Sequence, residues 1–324
     1  LLYHTVPFIN LTRSLSRYDL MIMLSLGVLA AVGLVWLSAK LKRLPANGLA
    51  LLAAGLVCFE FLAAPYPVSP IDIPQFYADI SADPDRYTIA ELPMNWDRPT
   101  PLLHQTVHGK RLLTAYTSRD NPHLLAPKTP VLQQWRNLGP DIISQPLAEI
   151  APTIFYDFNL RYIVLDYWQM PPGPERDATE KWLAAALPNA APVYDDGRLK
   201  VYQTPPKTDT RPYLSLGHGW SDRLDGESEL ATRKIDTEGV ELFVHHPPAG
   251  QPFTLGITAA AETAGQSLRV QVDDAPAGVI DLSTQPLTAE LPLPPGDGSL
   301  LKLRLLPTDP ANTVSVSQLT LKFD

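Results

Sequence analysis

Leu20–Ala39 reads LMIMLSLGVLAAVGLVWLSA and holds no charged residue. At about 1.5 Å of rise per residue, a helix of this length covers a hydrocarbon core of roughly 30 Å. Lys40, Lys42 and Arg43 end the run, and a second apolar stretch, Leu44–Ala64, follows at once. Two spans joined by a short basic loop predict a transmembrane helical hairpin over residues 20–64. The positive-inside rule puts its basic turn, 40–43, in the cytoplasm. Both outer flanks then lie outside the cell: residues 1–19 as an extracytoplasmic loop or interfacial helix, and everything after the hairpin. The fold class expected is a membrane-anchored multi-domain protein whose soluble domains are extracytoplasmic.

Moving outward towards the C-terminus, residues 65–75 (PYPVSPIDIPQ) carry four prolines and cannot continue a helix. A short amphipathic helix is expected at Phe76–Ala82, and Tyr87–Leu92 alternates like a strand. Leu102–Arg119 splits at Gly109 into a helical turn and a strand. Residues 130–150 read as mostly helical, and Tyr162–Tyr167 (YIVLDY) as a buried strand. Pro174–Leu187 starts with Pro, has acids in its first turn and carries an Ala/Leu/Trp stripe, which marks a helix. A hairpin over 193–203 completes a small α/β domain, residues 70–206. After the linker at 205–209 the pattern becomes short alternating runs at about 8–12-residue spacing, as in Leu268–Val272 and Leu301–Leu305. This predicts an all-β, jelly-roll-like sandwich over 211–324.

The 324 residues carry a formal charge of −8, and no basic stripe follows residue 64, which argues against nucleic acid as a partner. The 34 prolines lie between apolar runs and suit turn-rich β structure. Cys58 is the only cysteine, so no disulfide can close within the chain and no thiolate metal site can form. An outward-facing chain without disulfides fits a bacterial cytoplasmic membrane. The chain opens on Leu, and residues 1–19 read like a loop entering a membrane helix; the expectation is a fragment of a longer protein.

Several residues are candidates for chemistry. Arg13 and Arg17 are four apart, so one helix face would carry both at the membrane surface. There guanidinium groups suit a lipid-linked phosphate, and the competing reading is interfacial anchoring. His104 and His108 have the spacing of a zinc pair. No Glu follows His104, however, and Gly109 breaks the helix, so a hydrogen-bonded histidine beside a turn is expected and no metal. Phosphate-loop, dinucleotide and nucleophile-elbow motifs are missing from the sequence, no cofactor is expected, and no catalytic residue is assigned. Trp96, Trp135, Trp168, Trp182 and Trp220 could stack on a pyranose. Trp182 fits a helix stripe and reads as core. Trp220, in a Gly-rich loop between strands, is either a glycan contact or an aromatic capping the sandwich.

Pro7-Phe8 followed by Arg13 and Arg17 before a span resembles the last periplasmic loop of YfhO-like and related GT-C-type bacterial glycosyltransferases, which use polyprenyl-phosphate sugars. Ile89–Pro93 (IAELP), His104–Lys110 and Tyr116–Arg119 are similar to the extracytoplasmic segment after their final spans. Gly219-Trp220 with Glu229 and Arg233 is similar to the opening of the sandwich that closes such chains, although Lys234 stands where an aromatic is usual. The resemblance implies inverting transfer of sugar from a lipid-phosphate carrier to an envelope glycan, with the catalytic acid upstream of residue 1. It implies Arg13 and Arg17 as carrier-phosphate contacts. Trp220, Trp96, His108 and Arg119 are the glycan contacts expected. The partners expected are membrane lipid, a polyprenyl-phosphate sugar and envelope glycan. The alternative is a non-enzymatic, membrane-anchored envelope protein that binds polysaccharide or protein through its sandwich.

Overall fold

The structure, a computed structural model, describes residues 17–40, 46–62, 72–94, 98–114, 116, 124–225, 231–236, 238–298, 300–309 and 313–323. It divides into two units, residues 1–72 and 73–324.

In the first unit, helix α1 (Arg17–Lys40) runs 24 residues, about 36 Å at helical rise. Its apolar side chains are exposed all round, from Leu20 to Val35, as in a helix whose solvent is lipid. The Lys40 ammonium folds back over the Trp36 ring at 4.1 Å, an arrangement suited to a membrane interface. Helix α2 (Ala46–Glu60) is apolar but has 15 residues, about 22 Å, which falls short of a hydrocarbon core. The second expected span, Leu44–Ala64, lies partly outside the described residues. Among the described residues α1 alone is long and apolar enough to cross a membrane, because Phe61 and Leu62 already leave the helix.

The second unit begins with a three-layer α/β lobe. Helix α3 (Gln75–Ser81) precedes strand β1 (Thr88–Leu92), and α4 (Thr100–His108) precedes β2 (Arg111–Leu112). Then come α5 (Leu132–Asn137), α6 (Leu147–Asp157), β3 (Leu160–Asp166), α7 (Pro174–Ala186), β4 (Tyr194–Asp195) and β5 (Leu199–Gln203). The sheet order is β2-β1-β3-β5-β4, with β1 parallel to both β2 and β3, and β5 antiparallel to β3. Alternation along each strand supplies two cores. Ile89, Val164 and Val201 pack on Phe76, Tyr77 and Ile80 of α3. Ala90, Leu92, Ile163 and Leu165 pack against α5–α7 through Trp135, Ile154, Phe155 and Leu183. Gly109, at φ 65, takes the left-handed turn that ends α4, as its position in the sequence predicts.

Ten further strands form the sandwich: β6 (Tyr213–Leu216), β7 (Leu224–Asp225), β8 (Ala231–Ile235), β9 (Val240–His245), β10 (Phe253–Ala261), β11 (Ser267–Val272), β12 (Ala275–Asp281), β13 (Leu287–Leu293), β14 (Leu301–Pro307) and β15 (Val314–Phe323). They make two antiparallel five-stranded sheets, β13-β10-β15-β8-β7 and β12-β11-β14-β9-β6. Every second residue of β8, β9 and β14 is buried, and Leu242, Leu255, Leu303 and Val316 meet in one core.

The two lobes are joined by more than the linker. The stretch 130–150, expected to be mostly helical, leaves the helix at Leu138 (φ 54) and sends Ile142 and Ile143 into the sandwich core. There the Leu319 N–H donates to Ile142 O at 2.6 Å and the Ser144 N–H to Leu319 O at 2.9 Å. In return Tyr213 of β6 packs into the α/β core, and its hydroxyl donates to Asp157 at 2.9 Å. The buried Arg233 side chain grips Asp141 through Nε and Nη2.

Candidate functional site

Where β1 and β3 begin and β5 ends, the α/β lobe opens a cleft of about 830 Å³. Its walls come from the approach to β1 (Asp85, Arg86), the end of α6 (Tyr156, Asn159), the start of β3 (Arg161) and the interlobe linker (Thr204, Lys207). The local backbone fixes these groups. The Asn159 side-chain amide donates to Arg86 O at 2.8 Å, the Thr88 N–H to Asn159 O at 2.8 Å, and the Thr204 hydroxyl to Leu160 O at 2.7 Å. Tyr156 is 64% exposed, with the Lys207 ammonium 4.1 Å from its ring centroid. The Arg161 guanidinium lies 4.8 Å from the centroid of the buried Tyr87 ring, and its Nη1 donates to Asp83 and Asp85 at 3.1 Å each. The Asp85 backbone N–H, helped by Arg161 and Lys110, holds the Asp83 carboxyl below its usual range. A phenol ring, an amide, a hydroxyl and cations thus converge on one concavity. Such a surface binds a polar ring by stacking and hydrogen bonding.

At the opposite, carboxyl edge of the sheet lies a closed polar cluster. His104 Nδ1 stands 2.9 Å from Glu91 Oε2, and the Lys110 N–H donates to His108 Nδ1 at 2.9 Å. Both imidazoles stack on Tyr77, with centroids at 4.2 and 5.5 Å. Burial, with His104 and Lys110 nearby, lowers the His108 pKa to about 4, so the ring is neutral and its proton sits on Nε2. Asp166 accepts from the Trp168 N–H and the Gln169 amide and lies 3.5 Å from Arg198. His104 and His108 are 0% and 3% exposed, and among the described residues no set of three or more His, Cys, Asp or Glu is arranged to hold a metal. This is the hydrogen-bonded histidine beside a turn that the sequence suggests.

Of the expected site residues, His108 lies in the α/β lobe and Trp220 in the sandwich. Arg13, Trp96 and Arg119 lie outside the described residues, and Arg17 opens α1. His108, expected to touch glycan, is corrected: it is sealed under Tyr77 with no surface to offer. Trp220 is partly buried. Its ring packs on the sandwich core, and its indole N–H donates to Glu241 O at 2.6 Å. Gly219 before it, at φ 91, must be glycine, since a Cβ would stand 2.4 Å from Gly239 O. Arg233 serves the lobe junction. Trp135 is fully buried against Phe155, Trp182 packs on the α/β core, and Trp168 is 70% exposed under the Arg198 guanidinium at 4.3 Å. The cleft residues Arg86, Tyr156, Arg161 and Lys207 carry no local motif and emerge only once four separate segments are folded together.

No family model matches the sequence, and no curated protein does. Among solved structures, the chain is similar to the CBM36-1 domain of a multidomain xylanase from the hindgut metagenome of Trinervitermes trinervoides. That likeness has 8% identity and a TM-score of 0.27, over 35% of this chain and 97% of that one. It is also similar to a family 35 carbohydrate binding module from an environmental isolate, at 15% identity and TM-score 0.29, over 35% and 93%. A third likeness is to the CBM22-1 xylan-binding domain from Paenibacillus barcinonensis Xyn10C, at 14% identity and TM-score 0.26, over 34% and 85%.

Proposed function

We propose that this chain is an outward-facing, non-catalytic glycan-binding body tethered by α1. On this reading it completes a bacterial membrane glycosyltransferase of the YfhO-like, GT-C type and holds the acceptor glycan outside the cell. The observation that carries the binding role is the cleft. It places the exposed Tyr156 ring beside the Asn159 amide, the Thr204 hydroxyl and the clamped Arg161 guanidinium. A pyranose presents an apolar face to such a ring and hydroxyls at its edge to such polar groups. The tether is supported by the length of α1 and by the basic residues Lys40, Lys42 and Arg43 at its end. The interlobe contacts keep the cleft fixed with respect to the sandwich, which suits a part that positions a polymer.

The test is binding of the full chain, held in nanodiscs, to a panel of bacterial polysaccharides. Tyr156→Ala is expected to weaken binding about tenfold, the equivalent of about 1.4 kcal/mol. Trp220→Phe should leave it unchanged, because that indole is tied to the strand beneath it. A chain that binds no glycan, or one indifferent to Tyr156→Ala, overturns the proposal.

A further inference from the structure

We infer that the cleft selects an anionic glycan, one carrying carboxylate or phosphate groups; this deepens the proposed function and rests on it. The lining sets three cations, Arg86, Arg161 and Lys207, against the single carboxylate of Asp85, in a chain whose formal charge is −8. A neutral polymer would gain nothing from that local reversal of sign, whereas an anionic one is drawn to it.

The cations also differ in what already occupies them. Arg161 spends one nitrogen, Nη1, on Asp83 and Asp85. Its Nε and Nη2 donate to no acceptor among the described residues. They form the flat two-donor edge that fits a carboxylate or a phosphate in bidentate fashion. Asp83 and Asp85 thereby act as positioning residues that hold the guanidinium in place. Lys207 rests on the Tyr156 ring and Arg86 is exposed; among the described residues neither has a carboxylate partner. A saccharide ring stacked on Tyr156 would therefore carry its acidic substituent towards these cations.

The experiment uses the full chain in nanodiscs of uncharged phosphatidylcholine, titrated with oligogalacturonate, with its fully methyl-esterified form, and with a glycerol-phosphate oligomer. At least one charged oligomer should bind tenfold or more tighter than the neutral ester, with affinity falling as salt rises. Preference for the uronate or for the phosphate identifies the source of the charge. Arg161→Gln should remove most of this preference. Since that variant also frees Asp83 and Asp85, the exposed pair Arg86→Gln and Lys207→Gln provides a second test and should reduce the preference about tenfold. If the neutral ester binds as tightly as the acids, or the charge variants bind like the parent, the inference falls while the glycan-binding reading stands. If no oligomer of any kind binds, both fall.

Discussion

Asp141→Ala is expected to lower the stability of the unit spanning residues 73–324 by about 3–5 kcal/mol, as loss of one partner of a buried ion pair does. Arg233 is 8% exposed, and all its polar reach is spent on this junction. Its Nε lies 2.9 and 3.0 Å from the two Asp141 oxygens, its Nη2 2.6 Å from Oδ2, and its Nη1 donates to Ser221 O at 2.7 Å. Asp141 Oδ1 also accepts the Ile142 N–H at 2.7 Å, so the same carboxylate anchors the segment that feeds Ile142 and Ile143 into the sandwich. Alanine would leave a buried guanidinium without its counter-charge. The double change Asp141→Leu with Arg233→Met should recover most of the loss, since an apolar pair of similar volume carries no desolvation cost. Urea denaturation followed through Trp135 in one lobe and Trp220 in the other provides the measurement. The parent should unfold in one transition with both reporters. A shift below 1 kcal/mol in Asp141→Ala would mean that the pair does not hold the lobes together.

That junction also marks where sequence reading stopped. Leu20–Ala39 is legible because a helix long and apolar enough to cross a membrane needs an unbroken apolar run. The strands at 267–272 and 301–307 are legible because each has one wet and one dry face, and Gly109 because a left-handed turn favours glycine. For the second apolar stretch, composition does not say where a helix ends; the described helix runs from Ala46 to Glu60. Residues 138–146 look helical by local pattern, but their pairing with Leu319 brings together positions distant in the chain, which no window of sequence contains. Strand β7, two residues long, offers too few positions for alternation to register. For tryptophans the sequence provides the ring and not its neighbours: Trp220 and Trp168 both look like platforms, yet one is pinned to Glu241 and the other is open. The cleft was invisible for the same reason, as Arg86, Tyr156, Arg161 and Lys207 are ordinary residues whose meaning is their convergence.

Acidification from pH 7.5 to 4.5 is expected to remove roughly 5 kcal/mol of stability through two histidines, His108 and His245. Burial pulls both pKa values from 6.5 to about 4; Asp157 opposes the shift at His245, while His246 adds to it. The geometry agrees. His108 is sealed under Tyr77 and accepts the Lys110 N–H, and His245 lies flat on Tyr213 at 4.3 Å with its Nε2 2.8 Å from the Ser215 hydroxyl. The sign follows from proton counting. Above pH 6.5 both rings are neutral, folded or unfolded, and contribute no slope. Between 6.5 and 4 the unfolded chain takes up protons that the folded chain refuses, so unfolding becomes easier with every step down. Below 4 the folded state protonates too, and the loss levels off. Carboxylates held low, such as Asp83 and Glu241, begin to cost stability only as pH falls towards their unfolded values of 3.8 and 4.5, so the window above about pH 5 belongs to the imidazoles. Urea midpoints across this range, converted with a common slope, read the effect directly. His108→Gln and His245→Gln should each flatten the profile by about half, whatever they cost at neutral pH, because a glutamine takes up no proton. A double variant that keeps the parent's acid sensitivity would assign it to other groups and overturn the account of these two rings as enforced neutral parts of the core.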